Sequence, residues 1–452
     1  MKTTQERSRQ IAVSAFAVTM LTGLLAAPAA AQTPSSKPVT FTKDVAPIFQ
    51  RSCQSCHHPD ALAPMSLMTY EDARPWARSI KRRTTDREMP PWHIEKNVGI
   101  QKFKEDVSLS DAEIATIAAW VDGGALRGNP ADMPPPRKFD DLMEWRIGTP
   151  DLIIKVPQDW TVPAQGPDAW IDSRAPTGLT ENRYIKAIQT RPGPGTLNVV
   201  HHVTTTVTQQ VDDTEKLAGN DSDSEEQALS EYSVGKNEDI MPDGTGMLLK
   251  PNSVIKFNVH YHSNGKEPVV DTHAELGLVL YPKGVVPKYH QVRRAIGSPV
   301  HGNINGIDVP AGEANARIDG YSRLDRPTRI SAIQPHMHAR GRRMCFEAIL
   351  PSKVDPEVVT LNCVKYDFNW NLVYNYDDDV APLLPAGTLI HVIAWHDNSA
   401  ANRLNPDPRN WVGWGSRTID DMSFAHVTMT YLDQADYDRL VAERKAKNST
   451  NN

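Results

Sequence analysis

The sequence predicts a multidomain protein, an all-α domain followed by two all-β sandwich domains. Three observations carry that expectation. The chain of 452 residues exceeds the ~250–300 residues one core holds. Helix signals stop at a proline-rich stretch near residue 130, and short runs of Val, Ile, Thr and Tyr replace them. The 35 prolines exceed the usual share of ~5%, which suits a loop-rich β chain better than a helical bundle.

Taken in order, Lys2, Arg7 and Arg9, an apolar run from Ile11 to Leu25 and Ala29-Ala30-Ala31 before Gln32 read as a signal peptide over residues 1–31. A periplasmic or secreted protein is therefore expected. Nothing downstream approaches the ~20 apolar residues of a membrane span. The net charge of -6 and the lack of a Lys/Arg-rich tract argue against nucleic acid, and Lys81-Arg82-Arg83 reads as a solvated helix face.

Residues 38–128 read as helices joined by loops: Thr42 to Gln50, Tyr70 to Thr85, and a helix opened by Ser110-Asp111-Ala112-Glu113 and ended by Gly123-Gly124. Residues 129–144, with Pro134-Pro135-Pro136, form a stiff linker. Strands are expected at Asp151 to Val156, Val199 to Val207, Ser253 to Tyr261 and Ala274 to Tyr281, giving one sandwich over 145–290. A second series, Arg329 to Pro335, Met344 to Leu350, Val358 to Tyr366, Thr388 to Trp395 and Met422 to Tyr431, gives another over 291–440. The stretch Val211 to Glu231 is polar enough to read as a surface excursion. The tail from Asp433 reads as a short charged helix.

Chemistry starts at Cys53-Gln54-Ser55-Cys56-His57. Two cysteines so spaced reach the vinyl groups of one haem, and the next histidine lies under the iron. One covalent haem c is expected, held by Cys53, Cys56 and His57. A zinc half-site would want a second cysteine pair, which Cys345 and Cys363 do not supply; an oxidising compartment lets those two form a disulfide. Met89, in Glu88-Met89-Pro90-Pro91-Trp92, is the chosen sixth iron ligand, with Met65, Met68, His58 and His93 as rivals. The span resembles class I c-type cytochromes. That likeness implies an all-α cytochrome c domain over 38–128 that moves single electrons.

Fifteen histidines are many to spend on packing, and several cluster as His201-His202, His260-x-His262, His336-x-His338 and the pair His391 and His396. In a strand, residues i and i+2 share a face, so His336/His338 and His260/His262 can each present two imidazoles to one ion. Adjacent His201 and His202 can do so only where the strand bends or ends. Imidazoles without interleaved carboxylates suit copper or zinc, a thioether favours copper, and a haem partner fits a metal that changes oxidation state.

With Asn198-Val199-Val200-His201-His202-Val203, Met241-Pro242-Asp243-Gly244-Thr245-Gly246, Asn258-Val259-His260-Tyr261-His262, Pro335-His336-Met337-His338 and Asp420-Asp421-Met422-Ser423, the chain resembles the copper type II, ascorbate-dependent monooxygenases. These are the family of peptidylglycine α-hydroxylating and dopamine β-monooxygenase. The likeness implies two jelly-roll sandwiches and two copper ions. It places an electron-transfer copper on His201, His202 and His260, and an oxygen-activating copper on His336, His338 and Met422, with His262 outside the ligand set. Gln334 stands where the peptide enzyme has the arginine that holds the peptide carboxylate, so a glycine-extended peptide is not expected. Ser423 replaces a family cysteine, and Cys345 and Cys363 are candidates to staple a local hairpin instead.

What the two resemblances imply together is a copper monooxygenase that hydroxylates a C–H bond of a small organic substrate with O2. An external donor feeds the haem, and fusion raises the donor's effective concentration. The competing expectation is a non-catalytic electron-transfer or copper-handling protein.

Overall fold

Branched apolar residues alternating with polar ones make the chain behind residue 150 a set of largely antiparallel strands, as the in-out burial of Ser423–Tyr431 illustrates. The structure is a computed structural model describing residues 38–59, 63–138, 144–210, 226–233, 238–271, 273–297, 306–352, 354–415 and 417–450. By its contacts the chain divides into Met1–Pro38 and Val39–Asn452. The signal peptide expected at 1–31 lies outside the described residues, and every described helix and strand belongs to Val39–Asn452.

One long sheet runs in the order β1 (Leu152–Lys155), β11 (Glu275–Leu280), β4 (Arg183–Arg191), β8 (Thr245–Leu249), β12 (Tyr289–Gly297), β20 (Ser423–Tyr431), β14 (Thr328–Met337) and β17 (Tyr374–Asn375). Short β7 (Asp239–Ile240) and β18 (Leu383–Leu384) pair with β4 and β14. Over its first half lies a sheet of β3 (Ala169–Pro176), β9 (Val254–Tyr261), β5 (Val200–Thr208) and β6 (Glu226–Ser233). Ile185, Ile188, Leu276 and Leu278 meet Val203, Val207, Phe257 and Val259 in the core between them. Over the second half lies a sheet of β13 (Ala316–Arg323), β19 (Leu389–His396), β15 (Gly341–Ile349) and β16 (Val358–Lys365). Its core joins Ile330, Ile333, Val427 and Met429 to Phe346, Leu361 and Val392. A small ribbon pairs β2 (Trp160–Val162) with β10 (Val269–Asp271).

The halves are fused rather than merely linked. β12 pairs parallel with β8 at Tyr289 opposite Thr245 and antiparallel with β20 along its length. Residue 290, where the sequence changes sandwich, lies in this seam strand.

The expected fold class needs correction, because no all-α cytochrome domain is present among the described residues. The chain is mostly β, and the helices of its N-terminal part are short: α1 (Ala46–Ser52), α2 (Tyr70–Ala73), α3 (Ala77–Thr85) and α4 (Asp111–Asp122). The expected helix over Tyr70 to Thr85 is broken by Pro75, which sits in a 3-10 turn at Arg74–Trp76. Phe41, Phe49, Ile117 and Trp120 do form a small core with these helices. The stretch between α3 and α4, however, goes elsewhere. Ile94 and Phe103 enter the core of the second sandwich, bridging to Val364 and Tyr376, while Trp92 stacks edge-on against Tyr374 at 5.1 Å. The stretch between α3 and α4 is thus part of a β core.

Three local expectations meet the structure differently. α4 carries the full capping box of Ser110 and Glu113. The charged tail is helical as α5 (Gln434–Thr450). The polar excursion is not wholly on the surface: 211–225 lie outside the described residues, but Glu226–Ser233 is β6, with Leu229 and Glu231 buried. Glu231 is tolerated because Gln334 and Arg293 donate hydrogen bonds to it from the second sandwich. Cys345 and Cys363, opposite each other in β15 and β16, form a disulfide. No helix among the described residues is long and apolar enough to cross a membrane.

Candidate metal centres

The cysteine motif begins where α1 ends. Cys56 and His57 turn back so that their backbone N–H groups donate to the Cys53 carbonyl at 3.2 and 3.0 Å. Cys53 and Cys56 are unbridged thiols, and burial pushes Cys53 up to about 12. His57 Nδ1 lies 3.0 Å from the Met65 carbonyl. A carbonyl only accepts, so Nδ1 carries the proton and Nε2 keeps its lone pair, which is what an axial iron ligand requires. Among the described residues, free thiols and a free Nε2 fit a covalent haem. Met89 is fixed through its backbone N–H to the Arg83 carbonyl at 3.1 Å, and among the described residues no hydrogen bond joins it to the motif.

The first histidine set depends on a bulge. In the β5–β9 ladder Val200 opposes Tyr261 and His202 opposes His260, so His201 is the extra residue. That irregularity turns two adjacent imidazoles toward one point, meeting the condition the sequence imposed. One ring nitrogen each from His201, His202 and His260 all lie within 4.8 Å of one another. His260 Nδ1 faces His202 Nε2 at 3.3 Å, its Nε2 donates to Asp168 at 2.8 Å, and Trp170 stacks on its ring at 4.2 Å. Burial first, then the neighbouring imidazoles, lowers His201 to about 4 and His202 to about 3. The set is therefore neutral at pH 7, with lone pairs available. His262 lies beside it, its ring 6.3 Å from that of His201.

The second set sits where the β14–β20 ladder ends. Gln334 opposes His426, His336 opposes Phe424 and Met337 opposes Ser423, so the next opposed positions are His338 and Met422. Alternation puts Gln334, His336, His338, Met422, Phe424 and His426 on one face. The rings of His336 and His338 lie 5.5 Å apart. Buried Asp421 accepts the backbone N–H of both His338 and Met422 at 2.9 Å, clamping the two chain ends together. His338 Nδ1 donates to the Asp420 carbonyl at 3.2 Å, which leaves Nε2 free. Burial, with His338 adding, lowers His336 to about 3. His202 also senses His336, so the two sets lie within electrostatic reach.

Two kinds of residue escaped sequence reasoning. Asp168 is a single loop carboxylate with no pattern around it. Asp421 stands inside the Asp420-Asp421-Met422-Ser423 run, where spacing gives it no role. Gln334 is tied to Glu231, Arg293 and Asn371 and so joins the two sandwiches. His396 is wholly buried 3.4 Å from Asp421, and His391 is held by carboxylates on both nitrogens.

Comparison with known proteins adds little to this geometry. No family model matches the sequence, and no curated protein does. The major capsid protein P2 from Bacteriophage PM2 aligns at 10% identity over 62% of this chain and 96% of that one, with a TM-score of 0.24. The structure of Broad Bean Stain Virus gives 10% identity over 66% and 95%, with a TM-score of 0.23. Allantoicase from Saccharomyces cerevisiae gives 14% identity over 53% and 80%, with a TM-score of 0.16. Overlaps this low carry no argument about fold or function.

Proposed function

We propose that this chain is an exported haem c- and copper-dependent monooxygenase that uses O2 to hydroxylate a C–H bond of a small organic substrate, with electrons from an external donor received at Cys53, Cys56 and His57. The observation that carries the reading is a neutral three-imidazole set together with a separate pair, His336 and His338, at the end of a ladder whose other strand begins just after Met422. When bound, copper supplies one-electron redox chemistry and oxygen activation, and haem c supplies one-electron transfer.

The residues contribute in distinguishable ways. His201, His202 and His260 offer three nitrogens already stripped of protons by burial, so metal binding releases few. His336 and His338 offer two more, and Met422 would add a soft sulfur that favours the reduced ion. Asp421 holds His338 and Met422 by their backbones, which keeps both side chains free for the metal. Phe424 and His426, on the same face, supply an apolar and a polar wall beside it. A hydrolytic zinc centre fits less well, since the carboxylates nearest the two sets are engaged by His260 and by backbone N–H groups rather than poised as bases.

Oxygen uptake by the reduced, copper-loaded protein, screened against a panel of small organic compounds, is the test. Uptake that rises with a particular compound, together with its hydroxylated product, is expected. Uptake indifferent to every compound would leave a protein that only relays electrons or handles copper.

A further inference from the structure

Among the described residues, His260 is the one member of the three-imidazole set with a carboxylate on its far nitrogen, at 2.8 Å from Nε2 to Asp168 Oδ2. A carboxylate accepts and does not donate, so the proton of the neutral ring must sit on Nε2. The lone pair is thereby placed on Nδ1, the atom that faces His202 Nε2 at 3.3 Å. Without that bond both tautomers are open to His260, and one of them points a proton at its neighbours.

His391 gives an internal contrast. It has carboxylates on both sides, Asp319 at 2.7 Å and Glu347 at 3.0 Å, so neither nitrogen is left to bind anything. One carboxylate prepares a ligand, whereas two use the ring up. Trp170, stacked at 4.2 Å and 18°, fixes the plane of the His260 ring so that the Asp168 bond also fixes its direction. Asp168 and Trp170 are two residues apart at the start of β3, and Trp170 opposes His260 in the ladder. The support is built by the strand beside the ligand.

We infer that Asp168 is a positioning residue for the first metal centre: it sets the tautomer of His260 and, by drawing on the Nε2 proton, makes Nδ1 a stronger donor to a bound Cu(II). This rests on the reading of His201, His202 and His260 as a copper site. Stronger donation favours the oxidised ion, so the carboxylate lowers the reduction potential of that copper.

The experiment compares the full chain with Asp168→Ala and Asp168→Asn. Cu(II) affinity at the first centre is measured by chelator competition, its midpoint potential by redox titration, and the His260 tautomer in the metal-free protein by nitrogen-15 NMR. Asp168→Ala should weaken Cu(II) binding by about 10–100-fold, raise the potential and scramble the tautomer. Asp168→Asn keeps an acceptor, so it should hold the tautomer while shifting the potential part of the way. Thermal unfolding of the metal-free variants should match the parent, because Asp168 is exposed. Unchanged affinity and potential in Asp168→Ala would overturn this inference alone. Failure of the unmodified protein to bind copper at these histidines would overturn both the inference and the reading beneath it.

Discussion

The two histidine sets use the same side chain in opposite mechanical settings. The first lies within a ladder, where a bulge at His201 crowds three nitrogens to within 4.8 Å and a carboxylate backs His260. The second lies just past the end of a ladder, where two chain ends are held by backbone bonds to Asp421 and His338 is backed by a neutral carbonyl. A bulge in a continuous strand re-aims the side chains beside it, and here it brings three ring nitrogens to one point. A ladder end brings two imidazoles together, their rings 5.5 Å apart. On the proposed reading this separates a centre closed by three imidazoles, which passes electrons, from one with two, which meets substrate and oxygen.

The hardest blow to that contrast falls on Met422, whose alternative role is a plain apolar contact at the start of β20. Met422→Ile keeps volume and apolarity, so unfolding free energy should change by less than ~1.5 kcal/mol. Hydroxylation should nevertheless fall by about 100-fold or more, and sulfur scattering should vanish from the X-ray absorption spectrum of the Cu(I) form. Turnover and spectrum both unchanged would return Met422 to packing and leave the second set with two ligands. Removing a ligand from the closed centre reads differently. His201→Ala or His260→Ala should drop the copper content from two ions to one while the haem spectrum stays as in the parent, and two ions retained in either variant would contradict the assignment.

Acid should strike both sets through the same physics. His201 is held near about 4, and His202 and His336 near about 3, all below the ordinary 6.5. The folded values are depressed, so between ~6.5 and those values the unfolded chain binds more protons than the folded one, and stability falls as pH falls. Urea unfolding of the metal-free protein should show a loss of at least ~2 kcal/mol between pH 7.5 and 5. A flat profile would mean these imidazoles are not buried in solution, which would undo the picture of lone pairs kept ready.

Sequence reasoning saw the pieces of each set better than their assembly. The i, i+2 spacing of His336 and His338 places both on one face because strand geometry is local. That His338 and Met422 are both held by Asp421 rests on the register of two strands more than eighty residues apart in the sequence, which no local pattern encodes. Ser110 and Glu113 announce α4 because a cap is a local bond. Trp92, Ile94 and Phe103 are legible as apolar but not as belonging to the second sandwich, since apolarity does not say which core will take a residue. The same limit hid Glu231, polar enough to read as surface until Arg293 and Gln334 meet it from another strand.

The smallest expected effect concerns His262, and it sharpens where the closed centre ends. Spacing makes His262 as good a ligand as His260, since both stand on the same side of an extended segment. In the structure β9 ends at Tyr261, and the His262 N–H donates to the Val199 carbonyl at 2.9 Å. Its ring lies 6.3 Å from that of His201, against 4.9 Å between the rings of His201 and His260. Three nitrogens already converge without it. His262→Asn, which keeps a polar side chain, should therefore retain two copper ions per chain and shift first-centre affinity by no more than about 3-fold, less than the 10–100-fold expected on losing the carboxylate support of a ligand. A larger loss, or a change in nitrogen coordination in the electron paramagnetic resonance spectrum of the Cu(II) form, would make His262 a fourth ligand. The first centre would then be closed by four imidazoles, and its contrast with the second would be greater than three ligands allow.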